Sequence, residues 1–271
     1  MESTLPGTAT DTTPRRRPDP DLAYHYQPLR DSVMMGWLER TLLQNQLYFP
    51  SPASFNDPFD SKVSPSFDGT PEQKRAHIES LARLKFGSDA TDDAKKMIAA
   101  ALADPKFHER GYEAFRDTEV NTLGIYCLSE KNDDILMWSH YADSHRGICL
   151  ILTSSAMFPD LAIEPIVYPE DNAYPNVNFF TATMKQQSDA VLLTKAKHWD
   201  YECEWRIVDT TGPSWHDIDP NWVRGLIFGC LASAAQIAEV RAMSSKRHVP
   251  LTLFKAKKKH RQFALDICPL T

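Results

Sequence analysis

Residues 123–152 read LGIYCLSEKNDDILMWSHYADSHRGICLIL, and this stretch decides the fold class. Residues 123–129 and 147–152 are nearly unbroken apolar runs, which is typical of strands buried on both faces of a sheet. Between them, residues 135–141 predict a short helix, with Trp138 and Tyr141 three positions apart on one side of it. We therefore expect two buried strands joined through a helical turn.

Outside this stretch, the predicted strands and helices do not alternate regularly. This irregular order favours an α+β fold over a doubly wound α/β sheet. Residues 251–255 and 263–267 predict a closing hairpin with residues 257–261 at its tip. The remaining strands are expected at residues 22–26, 47–49, 163–168, 201–208 and 223–229, and the remaining helices at residues 32–46, 185–197 and 232–243, with a polar loop at 169–180.

Residues 70–120 have a different texture and predict an α-helical insert. Thr70-Pro71-Glu72-Gln73 has the capping threonine, the first-turn proline and the third-position glutamine of a helix start. Two more starts follow, at Thr91 and at Asp104. We therefore expect three helices that cover one side of the sheet.

The N-terminal residues 1–20 predict a flexible tail, because they are too polar to offset the entropy lost on ordering. The arginine triplet at 15–17 is expected to be solvated, with a nucleic-acid or membrane arm as the lesser alternative. Residues 21–271 are then one α+β domain, since a chain of this length supports one substantial core without requiring two.

Composition excludes several classes of protein. The chain has 271 residues with 42% hydrophobic and 24% charged residues and a net charge of −6, so a uniformly basic nucleic-acid-coating surface is not expected, although this composition is compatible with a local basic patch. Its five cysteines show no CxxC spacing, which argues against a disulfide framework or a zinc finger and fits a reducing cytoplasm. The most apolar stretch, residues 225–240, is too short to span a bilayer, so no membrane association is expected.

A rigid loop at residues 54–60 is the first segment whose side chains could take part in binding or catalysis. Asn56 and Asp57 predict either a polar lip for a ligand or an Asx turn fixed by Pro58, and the two interpretations are compatible. The second segment is residues 127–147. His140 and His145 in it have no evident third residue that could join them as a metal ligand, so no metal site is expected. Trp138 and Tyr141 there predict either core packing or a stacking platform.

The third segment is residues 195–206, in which charged residues stand at alternate positions near the end. On a strand over residues 201–208, Glu202, Glu204 and Arg206 would share one face, with the two carboxylates roughly 6–7 Å apart. Such a row suits electrostatic stabilisation of a sugar or a phosphate-bearing substrate, or else forms an exposed ladder of ion pairs. The basic cluster at 255–261 predicts a solvated hairpin tip or phosphate contacts.

Four segments follow one another along the chain: Tyr24-His-Tyr26, Leu47-Tyr-Phe-x-x-Pro-x-x-Phe-Asn-Asp-Pro-Phe-Asp60, Cys127-Leu-Ser through Met137-Trp-Ser-His-Tyr-Ala-x-x-His-x-Gly147, and Trp199-x-Tyr-Glu-x-Glu-Trp-Arg206. In this order they resemble the bacterial family catalogued as domain of unknown function 2971, over roughly residues 22–235. In that family a basic Arg or Lys usually stands between the first two aromatic residues, where this chain has His25.

The order of elements is also similar to the ADP-ribosyltransferase superfamily. That resemblance implies a split sheet of mixed and antiparallel strands, with His25 on the first core strand, Ser129 (Tyr126 less so) on a middle strand, and Glu202 and Glu204 on a late one. It implies NAD as co-substrate of an ADP-ribosyltransferase or NAD glycohydrolase, in a toxin, effector or anti-phage protein. The acceptor would be a protein, a nucleic acid or water.

In that interpretation Glu204, Glu202 and His25 are catalytic. Glu204 would hold the ribose 2′-hydroxyl, Glu202 would orient or deprotonate the acceptor, and His25 would bind the adenosine ribose. The alternatives are a non-catalytic nucleotide- or protein-binding module of a bacterial defence or regulatory system and a carboxylate-dependent glycosidic hydrolase. The expected substrate-binding residues are Tyr26, Asn56, Asp57, Ser129, Trp138, Tyr141 and Arg206.

Overall fold

A mixed sheet of eight strands forms the centre of the α+β fold in the computed structural model, which describes residues 22–87, 91–153 and 163–270. The expected tail at 1–20, with its arginine triplet, lies outside these residues. The strands are β1 (Leu22–Gln27), β2 (Gln46–Phe49), β3 (Ser64–Ser66), β4 (Gly124–Ser129), β5 (Ile148–Thr153), β6 (Ile163–Pro165), β7 (Asn176–Asn178), β8 (Glu204–Asp209), β9 (Ser214–Asp217), β10 (Val223–Phe228), β11 (Thr252–Lys258) and β12 (Leu265–Pro269).

Seven α-helices of the described residues surround the strands. None of these helices is both long enough and apolar enough to cross a membrane. They are α1 (Ser32–Leu43), α2 (Pro71–Phe86), α3 (Asp92–Ala103), α4 (Phe107–Glu119), α5 (Ile135–Tyr141), α6 (Met184–Leu192) and α7 (Ala234–Ser244).

The large sheet nearly divides in two between β1 and β4. Its order is β12-β11-β10-β5-β1-β4-β8-β6, and the β10–β11 pair is parallel while the other pairs are antiparallel. β1 pairs with β5 along its whole length, but its pairing with β4 is confined to Tyr24 opposite Ser129 within the described strands. The two strands therefore separate beyond Tyr24 and leave space between them.

His25 fills part of the gap that this separation creates. Its Nδ1 lies 2.9 Å from the carbonyl oxygen of Cys127, and because a carbonyl only accepts, Nδ1 carries the proton. The ring stacks on Tyr126 with 4.4 Å between centroids. Burial lowers the pKa of His25, so the imidazole is neutral at physiological pH. The side chain thus satisfies a backbone group that a continuous sheet would pair with a strand.

Apolar packing covers both faces of the sheet. One face packs against α1 through Leu38 and Leu42 and against α7 through Val240. The other face packs against α5 through Met137 and Trp138. The predicted strands at 123–129 and 147–152 are confirmed as buried β4 and β5, which is why their sequence shows no polar alternation.

The helical insert at 70–120 contains α2, α3 and α4, as its three predicted starts indicate. Thr70 and Gln73 form the capping box at the start of α2. An aromatic cluster links this insert to β7, because the ring of His77 on α2 lies 5.0 Å from Phe179 and 5.2 Å from His108 on α4. The insert is therefore packed on the segment that directly follows β7.

Three expectations from sequence differ most from the structure, and smaller differences in length occur in the elements predicted at 32–46, 163–168 and 223–229 and in the closing hairpin. The polar loop at 169–180 contains β7, which pairs in parallel with β3 through residues too polar to predict a strand. The helix at 185–197 ends at Leu192, because the next residues form a β-bridge with Val167: its N–H donates to the carbonyl of Leu193 at 2.8 Å, and its carbonyl accepts from Lys195 N–H at 3.0 Å. The strand at 201–208 begins only at Glu204, because residues 197–202 form a 3-10 turn.

Close backbone packing at Gly229 predicts a specific stability effect. A Cβ at this position would lie 2.1 Å from the carbonyl oxygen of His145, so Gly229→Ala should lower the free energy of unfolding by about 2 kcal/mol or more. The matched control is Gly36→Ala in α1, where a Cβ meets nothing within 4 Å, and a gain of about 0.5–1 kcal/mol is expected. Urea denaturation of both variants measures the difference, and equal effects would contradict this packing.

Candidate functional site

A cleft of about 420 Å³ opens where β1 and β4 separate. Residues 24–26 of β1 and 127–129 of β4 form two of its walls, and residues 54–56 form a lip. His140 and Tyr141 reach it from α5. Its floor consists of five charged side chains: Asp60, Lys195, Glu202, Glu204 and Arg206.

Arg206 is the anchor of this floor and is completely buried. Its guanidinium donates to both oxygens of Glu204 at 2.7 and 3.1 Å and to both oxygens of Asp60 at 3.0 and 2.6 Å. It also donates to the backbone carbonyl of Leu192 at 2.8 Å. Such paired donors match the planar geometry of two carboxylates, which a lysine at the same position does not do.

Lys195 supplies the second cation of the floor. Its buried ammonium donates to Glu202 through a short hydrogen bond and to Glu204 at 3.1 Å, and it lies 3.7 Å from Asp60. Three carboxylates therefore face two cations, so the cluster carries one net negative charge when every group is ionised. Because isolated buried charges are costly, this mutual pairing is what permits their burial.

The two glutamates of the floor have opposite pKa shifts. Burial raises the pKa of Glu202, which the Lys195 ammonium only partly offsets, and it lies at about 7. Burial also acts to raise the pKa of Glu204, but the Arg206 guanidinium and the Lys195 ammonium outweigh it and hold that pKa at about 2. The site thus contains one permanently ionised carboxylate and one that changes charge near neutral pH.

Glu202 is not on the strand where the sequence placed it. It ends the 3-10 turn at 197–202, and Cys203 then adopts a left-handed φ of 44° before β8 begins. This turn directs the side chain of Glu202 back onto Lys195. Ser129 Oγ fixes the turn by donating to the backbone carbonyl of Glu202 at 2.6 Å. Glu202 and Glu204 meet at Lys195, and a turn brings them together rather than alternation along one strand.

Tyr141 and Asn56 complete the contacts of Glu202 with the cleft wall. The Tyr141 hydroxyl donates to Glu202 Oε1 at 2.5 Å. Asn56 Nδ2 lies 3.5 Å from the same hydroxyl, at the limit of a hydrogen bond. The loop at 54–60 therefore supplies a polar lip at Asn56, a buried acid at Asp60 and, as the second interpretation expects, an Asx turn in which Asp57 accepts from Phe59 N–H at 2.9 Å.

The structure gathers some of the predicted site residues and leaves others apart. Tyr26 and Ser129 line the cleft, but the Tyr26 hydroxyl donates to the backbone of Lys131. Trp138 is fully buried and donates to the backbone of Asn132, so it does not reach the cleft. Asp57 lines the neighbouring depression instead. The alternative of an exposed ion-pair ladder is wrong, since Glu204 and Arg206 are 5% and 0% exposed.

His25 lines the cleft but faces away from the carboxylates. Strand pairing places Tyr24, Ser129 and Glu204 in one row on the same face of the sheet. His25 alternates to the opposite face, opposite Leu150 on β5. Within the described residues, no hydrogen bond joins His25 to either glutamate.

A second depression of about 780 Å³ meets the cleft at His140 and Lys195. The rings of Trp199 and Tyr201 stand in its wall, 6.0 Å apart. Lys195 Nζ lies 5.1 Å from the centre of the Trp199 ring, so the buried ammonium borders both spaces. Together they form one extended groove that has the charge network at its middle.

Asp60 and Lys195 are site residues that the sequence did not identify. Asp60 ends the loop at 54–60, where nothing local distinguishes it from an ordinary turn aspartate. Lys195 lies in a predicted helix, where a lysine is typical of a solvated face. The role of Asp60 arises from Arg206, 146 positions away. The role of Lys195 arises from the turn that brings Glu202 and Glu204, seven and nine positions later, onto its ammonium. Among the residues that the structure describes, no group of three or more His, Cys, Asp or Glu side chains is arranged to hold a metal ion.

Removing the anchor of the floor should destabilise the protein strongly. Arg206→Gln leaves Glu204 and Asp60 without their main partner in a buried setting, so we expect a loss of about 3–5 kcal/mol in the free energy of unfolding. Arg75→Gln is the matched control, because its pair with Glu79 is exposed at 62% and 35% and should contribute at most about 1 kcal/mol. Similar losses in chemical denaturation would contradict the role of the floor.

The raised pKa of Glu202 should give a specific pH dependence of stability. Between its ordinary value of 4.5 and about 7, the folded state holds a proton that the unfolded state has released. The contribution of Glu202 to the free energy of unfolding therefore falls as pH rises through that window, by at most about 1.4 kcal/mol per pH unit. Glu202→Gln should remove this descending component, whereas Glu239→Gln, on an exposed position of α7, should keep it.

Denaturation curves collected across this pH range measure the difference between wild type and each variant. The comparison with the variant is needed because histidines with a lowered pKa, such as His77 and His108, make the free energy of unfolding rise with pH and so oppose the contribution of Glu202. Identical slopes for wild type and Glu202→Gln would show that Glu202 titrates normally.

The family model described as "Protein of unknown function (DUF2971)" matches residues 137–207 of this chain. No curated protein and no solved structure matches the chain. The matched range covers about a quarter of the sequence, and it contains Tyr141, Lys195, Glu202, Glu204 and Arg206. The match supports a relationship to that family of unknown function over the part of the chain that builds the floor of the cleft.

Proposed function

We propose that the cleft binds NAD and cleaves its nicotinamide–ribose bond, with transfer of ADP-ribose to a macromolecule or to water. The observation that carries this proposal is the position of Glu202. It is a carboxyl group with a pKa of about 7, held at the floor of a nucleotide-sized groove against Lys195 and Tyr141.

The chemistry requires a negative charge beside the ribose. When the bond between ribose C1′ and the nicotinamide nitrogen breaks, nicotinamide leaves as a neutral molecule with the bonding electron pair, and positive charge develops on the ribose. An ionised Glu202 stabilises that charge most effectively in a site from which water is excluded. Water or an acceptor group then bonds to C1′ and loses a proton, which Glu202 accepts.

Glu204 has a different part in this scheme from the one expected from sequence. Both of its oxygens are engaged by Arg206, and one of them also by Lys195. It acts as a positioning residue, because its fixed negative charge holds the Lys195 ammonium against Glu202. Both oxygens of Glu202 also accept hydrogen bonds, but one of them only from the neutral Tyr141 hydroxyl. Glu202 rather than Glu204 is therefore the carboxylate that can face the ribose, and His25 serves to join the separated strands.

The remaining parts of NAD would occupy the extended groove. Arg30 is exposed and lines the entrance of the cleft on the β1 side. Its guanidinium would donate hydrogen bonds to the pyrophosphate of NAD. The ring of Tyr141 suits stacking with nicotinamide, the role that Trp138 is too buried to fill. The depression beside Trp199 would receive the acceptor. A toxin, effector or anti-phage protein is the setting that such an activity fits.

A non-catalytic nucleotide-binding module is the second candidate function. The observation that favours it is the complete mutual pairing of the five floor residues, because such a network also suits a rigid recognition surface. In that case NAD or a related nucleotide would raise the melting temperature without being consumed.

Nicotinamide release from NAD, followed by chromatography with and without cell lysate, tests the proposal. Wild type and Glu239→Gln should release nicotinamide, and Glu202→Gln should lose at least about a hundredfold of the rate. The wild-type rate should rise with pH and level off above a midpoint near 7, because the ionised form of Glu202 is required.

Two outcomes would count against this function. Equal release by wild type and Glu202→Gln would exclude Glu202 as the reacting carboxylate. Stabilisation by NAD in a thermal-shift assay, with no release under any condition, would favour the binding module instead.

A further inference from the structure

A third depression, of about 700 Å³, lies apart from the cleft at the tip of the β11–β12 hairpin. We call it the hairpin depression and define it by Lys258, Lys259, Arg261 and Phe263 of the tip together with Leu136 of α5 and Leu231. α5 separates it from the cleft, since Leu136 and Ser139 face the depression while His140 and Tyr141 face the cleft.

Positive charge is concentrated at this tip. Lys257, Lys258 and Arg261 are exposed and form no ion pair with any acidic residue that the structure describes. Lys259 is 4.0 Å from Asp266, at the limit of an ion pair, and both side chains are about half exposed. In a chain with a net charge of −6, this is a strong local reversal of sign, so it attracts an anion rather than adding to a general basic surface.

A solvent-exposed aromatic ring, that of Phe263, lines the same depression as these cations. Phe263 is 99% exposed, the highest value among the large hydrophobic residues described. Leu136 and Leu231 are also 43% and 48% exposed within the same depression. A fully exposed phenylalanine between cationic side chains offers a flat face for a planar partner that carries negative charge.

The hairpin holds these groups in a fixed arrangement. Five residue pairs join β11 to β12, and Lys259 N–H donates to the carbonyl of Ala264 to close the tip. Arg261 adopts a left-handed φ of 56° that directs the chain sharply around. The cations and the ring therefore project from a rigid frame, which reduces the entropy lost when a ligand binds.

His145 adds an unpaired polar atom in the wall of the depression. Its Nδ1 is buried and has no hydrogen-bond partner among the described residues, while Nε2 lies 3.0 Å from Ser139 Oγ. Asp143, Ser144 and His145 all have positive φ values between 47° and 68°. Three consecutive residues in this conformation are energetically costly, so the surrounding structure enforces the position of this imidazole.

We propose that the hairpin depression binds a single-stranded nucleic acid, with phosphates on Lys258, Lys259 and Arg261 and an unpaired base on Phe263. A duplex offers no free base face to an exposed ring, so a single strand fits better. A lipid surface would favour a continuous apolar patch, whereas here Ser139, His145 and Gln262 interrupt the apolar side chains of the lining. The proposal stands independently of the chemistry in the cleft.

Fluorescence anisotropy of a labelled oligothymidylate of about 15 nucleotides, titrated with the full-length protein, tests this binding. Wild type should bind, and affinity should fall about 20-fold between about 50 and 200 mM salt if three phosphates are neutralised. Lys258→Glu with Lys259→Glu should abolish binding. Phe263→Ala should weaken it about tenfold and leave the salt dependence unchanged, because the ring contributes stacking rather than charge.

The matched control is Lys95→Glu with Lys96→Glu on α3, which makes the same change in net charge at two exposed lysines far from the hairpin in sequence. It should bind like wild type, as should Glu202→Gln, which separates this result from any failure of the cleft chemistry. No binding by wild type, equal loss in both lysine double variants, or no effect of Phe263→Ala would overturn the proposal. So would preferential binding to vesicles containing phosphatidylserine over the oligonucleotide.

Discussion

The guanidinium of Arg206 holds together three elements of the structure, one of which is 146 positions away in sequence. It joins the loop at Asp60 to Glu204 at the start of β8 and to the carbonyl of Leu192 at the end of α6. Because the group is fully buried, each of these bonds has to be formed when the protein folds. The floor of the cleft, the end of α6 and the position of the 54–60 loop all depend on this one arrangement.

Separation of β1 from β4 provides the space above that floor. A continuous sheet would pair the backbones of the two strands and leave no room for a ligand. Here the pairing stops at Tyr24 and Ser129, and His25 binds the carbonyl of Cys127. The imidazole therefore stabilises an interruption of the sheet that would otherwise leave a backbone acceptor without a partner. The cleft and its charged floor are consequences of the same break in strand pairing.

Much of the fold was predictable from local sequence, but the site was predictable only in part. Apolar runs identified β4 and β5, and capping residues such as Thr70 and Thr91 identified helix starts. The quoted segments contained Glu202, Glu204, Arg206 and Tyr141. Lys195 could not be recognised, because its burial depends on the turn that brings Glu202 and Glu204 onto it and on Asp60 from a distant loop. Likewise, the left-handed conformation of Cys203, which turns Glu202 onto the floor, has no signal in residue type, since cysteine does not favour positive φ.

The seven-residue helix α5 separates two very different surfaces. One side presents His140 and Tyr141 to the cleft, and the other presents Leu136 and Ser139 to the hairpin depression. Its fully buried Trp138 fixes the helix between them. So short an element has no room to move at one side without moving at the other. Any ligand that shifts α5 would therefore change the affinity of the opposite surface, and thermodynamic reciprocity would require the same factor in both directions.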